Sequence, residues 1–136
     1  MIIIVCLDNR DGMLFAGRRQ SKDSLLRENM LDLCHGKPLW MNPYSASQFP
    51  ELPSNIRVSE DFLSLAGEGE YCFVENADIP TMAHKAERFV IYRWNRHYPS
   101  DTQFPIHLFS SRWHQVSTSD FPGSSHERIS REVYEV

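Results

Sequence analysis

The chain is short of the features that would assign it quickly. It has three cysteines, Cys6, Cys34 and Cys72, an odd number at wide spacing. That excludes a disulfide framework, and no two of them stand at metal-ligand spacing. Cys6 and Cys72 lie in apolar runs, so buried free thiols are expected. No apolar run is long enough to span a membrane: residues 2–7 are too few, with no basic region and no cleavage site. A surplus of positive charge is also missing. The formal net charge of −4 argues against nucleic-acid binding through a broad basic surface, but it leaves room for a small anion site. There is no repeat, low-complexity tract or long linker. The six histidines, His35, His84, His97, His107, His114 and His126, are never two or four residues apart. No metal site is expected from them, and scattered surface positions are.

What is present describes an ordinary globular chain. Its 136 residues suit one domain, 1–136, with one core. Apolar residues make up 41% and charged residues 24%, a typical folded mix. A cytoplasmic protein with no membrane or nucleic-acid partner is the default expectation.

Residues 2–7, Ile-Ile-Ile-Val-Cys-Leu, are apolar without alternation, which predicts a strand buried on both faces. Asp8-Asn-Arg-Asp-Gly12 supplies turn chemistry, and residues 13–20 read as a loop. Ser21 can cap a helix with Asp23 in its first turn and Leu26, Met30, Leu33 and Cys34 on one face. Gly36 stops it, and residues 37–41 read as a strand. Three prolines between 42 and 58 allow only short elements. A helix is expected over 59–66, strands over 70–75 and 88–94, and a short helix from Pro80 to about Lys85. Strand–helix alternation predicts a mainly parallel α/β sheet. Residues 112–119 and 126–136 then read as an antiparallel hairpin joined at Phe121-Pro-Gly-Ser-Ser125.

The C-terminal part runs Lys85-Ala-Glu-Arg-Phe-Val-Ile-Tyr-Arg-Trp-Asn95, then Asp101-Thr-Gln-Phe-Pro105, then Trp113 and a closing Glu132-Val-Tyr-Glu-Val136. This order resembles the last third of dihydrofolate reductase: a core strand, an Asp-Thr-x-Phe-Pro turn, a Trp and an antiparallel hairpin. Gly36-Lys-Pro-Leu-Trp-Met41 is similar to the family's Gly-Lys-Pro-Val-Ile-Met strand, and Leu52-Pro53 with Asn55-Ile56 to its Leu-Pro-Gly-Arg-x-Asn-Ile segment. The resemblance implies a three-layer α/β fold with a mainly parallel central sheet.

The resemblance also locates a site, and the residues there differ. Asp23 is the nearest match to the helix carboxylate that holds the pterin, about one turn too far from Lys37. Leu7 takes the place of a small residue beside the pterin, and Tyr92 that of a threonine supporting the carboxylate. Ser54 stands where the family grips the folate glutamate with arginine. The family's Gly-Gly pair, where bare backbone meets the dinucleotide, reads Val74-Glu-Asn-Ala77 here, and Glu75 would repel a phosphate. The phosphate-binding helix start is replaced by Asn42-Pro-Tyr-Ser-Ala46, and the adenosine region between Val58 and Glu70 is mostly deleted.

Three functional readings follow. The first is a descendant that is not an active reductase, has no cofactor and binds a small anionic or aromatic ligand in the residual cleft. The second is an NADPH-dependent reductase of a folate- or pterin-like substrate, with Asp23 as its carboxylate and Tyr92 beside it. The third is a protein-interaction domain. Ligand residues expected at the cleft are Arg18, Arg19, Lys22 and Arg27, a basic cluster suited to phosphate or carboxylate, with Leu7 and Trp94. The plain alternative is a solvated face with Asp23 and Arg27 as an i,i+4 pair. Tyr98 could line the cleft as well. Trp40, Trp94, Trp113, Phe89 and Tyr92 are expected in or beside the core. Ser124-Ser125-His126-Glu127 offers hydroxyls beside an imidazole, but neighbours in sequence do not make a nucleophile–base pair, and a hairpin loop is the better reading. A ribonuclease Z reading needs a clustered His-x-His-x-Asp-His motif, which is absent.

Overall fold

The computed structural model describes residues 1–77, 79, 83–105 and 112–136. A seven-stranded sheet runs through it in the order β5-β4-β6-β1-β7-β10-β9. Its strands are β1 Ile2–Leu7, β4 Leu39–Met41, β5 Ile56–Val58, β6 Tyr71–Phe73, β7 Arg88–Arg93, β9 His114–Phe121 and β10 Ile129–Glu135. Strands β5, β4, β6, β1 and β7 are mutually parallel. Strand β10 returns antiparallel to β7, and β9 antiparallel to β10.

β1 lies between β6 and β7, which explains its apolar run: alternate residues feed two cores. Ile2 and Ile4 join Leu26, Met30, Leu39, Tyr92, Trp94 and Ile129 under helix α1 (Ser24–Cys34). Ile3, Val5 and Leu7 join Met13, Phe62, Cys72, Phe89 and Phe104 on the other face. Trp40 and Trp113 pack at the edge of this second core. Helix α1 buries Leu26, Met30 and Cys34, while Leu33 is half-buried.

Two local expectations need correction. The stretch 13–20 is not a loop. Gly12–Phe15 (β2) folds back on Arg18–Arg19 (β3), and β2 also pairs with Thr102–Gln103 (β8) in a separate small sheet. The two turn residues, Ala16 at φ 52 and Gly17 at φ 73, make a hairpin of the primed type. Ala-Gly carries none of the usual Asn-Gly or Asp-Gly signal. Tertiary bonds hold the turn instead: the Ala16 amide donates to Asp101 Oδ2 at 3.0 Å, and the Asp101 amide to the Leu14 carbonyl at 3.0 Å. The Asp-Thr-x-Phe-Pro run thus closes the small sheet, with Phe104 buried edge-on to Phe89.

The second correction concerns the start of α1. The cap is Asp23, in extended backbone at φ −154, and it receives the Leu25 and Leu26 amides; Ser21 lies outside the helix. A carboxylate accepts these amides more strongly than a hydroxyl does. The proline-rich stretch holds only a short helix, α2 (Pro43–Ala46), as expected, but α3 is shorter than expected, Phe62–Leu65, because Ser59 turns the chain before it. The expected helix from Pro80 begins outside the described residues, and a 3-10 turn covers Ala83–Lys85. Among the described residues no helix is long and apolar enough to cross a membrane.

Candidate functional site

In an open parallel sheet, ligands bind where strands end at their carboxyl edge. Here β1, β4, β6 and β7 end at Asp8, Asn42, Val74-Glu75 and Trp94. The β3 hairpin and the start of α1 cover that edge. A narrow cleft between them is lined by Cys6, Arg19, Gln20, Ser21, Glu75 and Trp94. It leaves room for at most about one water molecule. A wider open groove lies on the outer side of β3, along Phe15, Arg18, Gln20, Tyr98 and Pro99.

Asp23 is buried at the inner end of the site and fully engaged by the protein. Its Oδ1 accepts the amides of Leu25 at 3.0 Å, Leu26 at 3.1 Å and Ser124 at 3.0 Å. Its Oδ2 accepts the Ser125 amide at 2.9 Å, the Ser125 hydroxyl at 3.2 Å and His126 Nδ1 at 3.0 Å. Burial works to raise this carboxyl, but the Ser124 amide, His126 and the Ser125 amide outweigh it and hold it well below the usual carboxylate range. The hairpin loop reaches Asp23 because residue 123 is glycine. A Cβ there would stand 2.5 Å from Asp23 Oδ2 and 2.9 Å from the His126 carbonyl.

His126 is buried against Trp94, ring centroids 4.6 Å apart and 25° from parallel. Since Asp23 only accepts, it fixes the neutral imidazole proton on Nδ1 and leaves Nε2 as the acceptor. Two hydroxyls meet that nitrogen, Ser21 Oγ at 3.1 Å and Tyr98 OH at 2.9 Å. The expectation of surface histidines therefore fails for His126, because Trp94 and the Asp23 carboxylate give it a buried, satisfied position. It holds for His35, His84, His97 and His114, which are exposed; His107 lies outside the described residues.

A second charged knot closes the site towards β6. Arg19 forks onto Glu75, Nε to Oε2 at 2.9 Å and Nη2 to Oε1 at 3.1 Å. Ser45 Oγ at 2.8 Å and Gln48 Nε2 at 3.2 Å also donate to Glu75 Oε1. The Arg19 guanidinium lies over the Tyr44 ring at 4.2 Å and donates to the Tyr44 carbonyl. Burial opposes its charge, but the Glu75 carboxylate raises its pKa. Deeper in the cleft, burial first and then Glu75 push the Cys6 thiol well above its usual value.

The residues singled out from sequence fall in several places. Asp23 and Trp94 meet through His126. Tyr92 is fully buried under α1, and its hydroxyl donates to Asn29 at 2.8 Å rather than reaching Asp23. Leu7 has no exposed surface and faces the second core; strand alternation gives the cleft face to Cys6 instead. The basic cluster disperses. Arg19 is paired, Arg18 and Lys22 are exposed, and Arg27 is half-buried with Nη1 buried and unpartnered among the described residues. The i,i+4 pair of Asp23 with Arg27 does not form, because the hairpin loop and the helix amides take both carboxylate oxygens. Ser124–Glu127 is a hairpin loop, as read from sequence, yet besides Ser125 next to it His126 finds hydroxyl partners far along the chain, Tyr98 and, 105 residues away, Ser21. No short-range signal marks that pairing.

No family model matches the sequence. No curated protein matches it either. Solved structures do. Dihydrofolate reductase from Enterococcus faecalis, complexed with NADP(H) and RAB-propyl, is similar over 98% of this chain and 94% of that one, with a TM-score of 0.64 and 12% identity. The chain has a dihydrofolate-reductase-like fold.

Proposed function

We propose that this chain is a small-ligand-binding domain on a dihydrofolate-reductase-like scaffold and not an active pterin reductase. One observation carries the reading. A buried carboxylate, Glu75, tied to Arg19, Ser45 and Gln48, stands after β6 where the resemblance puts bare glycine backbone against a dinucleotide. A phosphate brought there meets a fixed negative charge in place of free amides. The Asp23 side agrees: its two oxygens hold protein donors and leave no lone pair aimed at a pterin ring.

The groove outside β3 supports the ligand's class. Phe15 is 52% exposed, and the Arg18 guanidinium beside it has no partner among the described residues. An exposed ring next to a free guanidinium suits a small aromatic anion, such as an aryl carboxylate. A thermal-shift titration tests this directly. An aromatic carboxylate at a hundred times its dissociation constant should raise stability by about 2.7 kcal/mol, and NADPH should leave it unchanged. Saturable enhancement of NADPH fluorescence at micromolar protein would refute the reading.

A further inference from the structure

The Ser21, His126 and Asp23 side chains have the mutual geometry of a nucleophile, its base and the group that orients the base. We propose that Ser21 is the nucleophile of an acyl-transfer centre for short-chain aryl esters, with His126 as general base and Asp23 as positioning residue. The geometry comes first. His126 Nε2 is 3.1 Å from Ser21 Oγ, and Nδ1 is 3.0 Å from Asp23 Oδ2, both within reach for proton transfer. Asp23, saturated by amides, fixes the tautomer in which Nε2 receives the proton. The Trp94 face holds the ring in plane. These residues come from four separate elements: the β3–α1 junction, the cap of α1, the end of β7 and the β9–β10 loop.

The surroundings set the substrate class. The cleft beside Ser21 holds no more than about one water molecule, so at most the carbonyl oxygen can enter it and the acyl chain, left at its mouth, has to be short. The groove of Phe15, Arg18 and Tyr98, which shares Arg19 and Gln20 with that cleft, has space for an aromatic leaving group. Arg19 lines the same cleft as Ser21 together with its counter-ion Glu75, so the pair brings no net positive charge; only the Nη1 group, which has no partner among the described residues, can donate a hydrogen bond where negative charge develops. In the step itself, Ser21 Oγ attacks the ester carbonyl and its proton passes to His126 Nε2. The C–O bond to the aryl oxygen breaks, and the leaving aryloxide takes that proton back from His126 Nε2, which is then free to accept one from the attacking water. Water then cleaves the acyl-serine and restores the hydroxyl, with no change in oxidation state. Tyr98 OH, at 2.9 Å, competes for the one lone pair of Nε2 and so restrains Ser21.

This inference rests on reading the cleft and groove as a ligand site, and one experiment separates the two. The intact wild-type chain is incubated with p-nitrophenyl acetate, quenched in acid and mapped by peptide mass spectrometry. One acetyl group on Ser21, absent when the reaction is run in denaturing urea, is the expected result. Ser21→Ala should slow p-nitrophenolate release at least tenfold while melting within a few degrees of wild type, and Tyr98→Phe should speed it. Acetylation confined to Lys22 or Tyr98, an undiminished rate in Ser21→Ala, or a tenfold loss in Tyr98→Phe would overturn the proposal. Stabilisation by aromatic carboxylates without acetylation of Ser21 would overturn it too and leave the binding reading standing. Acetylation of Ser21 without such stabilisation would do the reverse.

Discussion

Replacing Asp23 by asparagine probes the centre of the site with almost no change in shape. Asparagine is itself a good helix cap, so its carbonyl oxygen can keep the Leu25 and Leu26 amides. The loss falls on the other oxygen, which accepts the Ser125 amide, the Ser125 hydroxyl and His126 Nδ1. An amide NH2 there faces donors. The Ser125 hydroxyl can turn away and His126 can change tautomer, but the part-buried Ser125 N–H loses its carboxylate acceptor. Losing that charged bond costs about 1.5 kcal/mol. The remaining bonds lose charge assistance, which roughly doubles their strength in the wild type. Together the loss is on the order of 3 kcal/mol, or on the order of 10 °C in Tm for a chain of this size.

The pH dependence gives the same substitution a second readout. The folded carboxyl is held well below the usual range, so its stabilising contribution is complete above the unfolded value of about 3.9. It is lost as pH falls through that value towards the folded one. By pH 3 the wild type has given up about 1.3 kcal/mol through this group, and the asparagine variant has nothing to give up. Asp8, also lowered by the Gly12, Arg10 and Tyr98 amides against its burial, titrates in both proteins and cancels. Urea titrations at pH 7 and pH 3 should therefore show a gap that narrows from about 3 to below about 2 kcal/mol. A gap under about 1 kcal/mol at pH 7, or one that does not narrow, refutes the assignment of Asp23 as the charged latch between helix and hairpin.

Two further outcomes follow from the charged knot and the thiols. Glu75→Gln leaves the largely buried Arg19 guanidinium without its counter-charge and should cost about 2–3 kcal/mol in urea unfolding; adding Arg19→Met should recover most of it, and no recovery would mean that the pair does not act as a unit. Cys34 and Cys72 are pushed up to about 12 by burial, and Cys6 is raised by burial and Glu75. At pH 8 none of the three should react quickly with Ellman's reagent in the folded protein, and all three should react in denaturant; a fast native thiol would contradict the described packing.

Much of the scaffold could be read directly from the chain. The run Ile2–Leu7 has no polar residue to present to solvent, so it had to lie between other strands, and it does. The Asp101-Thr-x-Phe104-Pro105 order and the closing hairpin pointed to the dihydrofolate-reductase-like arrangement. The resemblance puts Glu75 where the family has glycine, and the structure buries that carboxylate just after β6. The β2–β3 hairpin was not legible, because its Ala-Gly turn is held by Asp101, far along the chain, and by no local preference.

What the sequence determined alone was whatever depends on local periodicity: which strands are buried, where helices stop, and that the last two strands pair. Tertiary structure decided the site. Asp23 and His126 lie 103 residues apart, and each looks ordinary where it stands, one a helix cap and the other part of a serine-rich loop. They meet because β10 returns beside β7 and the glycine at 123 lets its loop approach the carboxylate. Hydrogen bonds of about 3 Å depend on that convergence of strands, and periodicity along the chain carries no record of it.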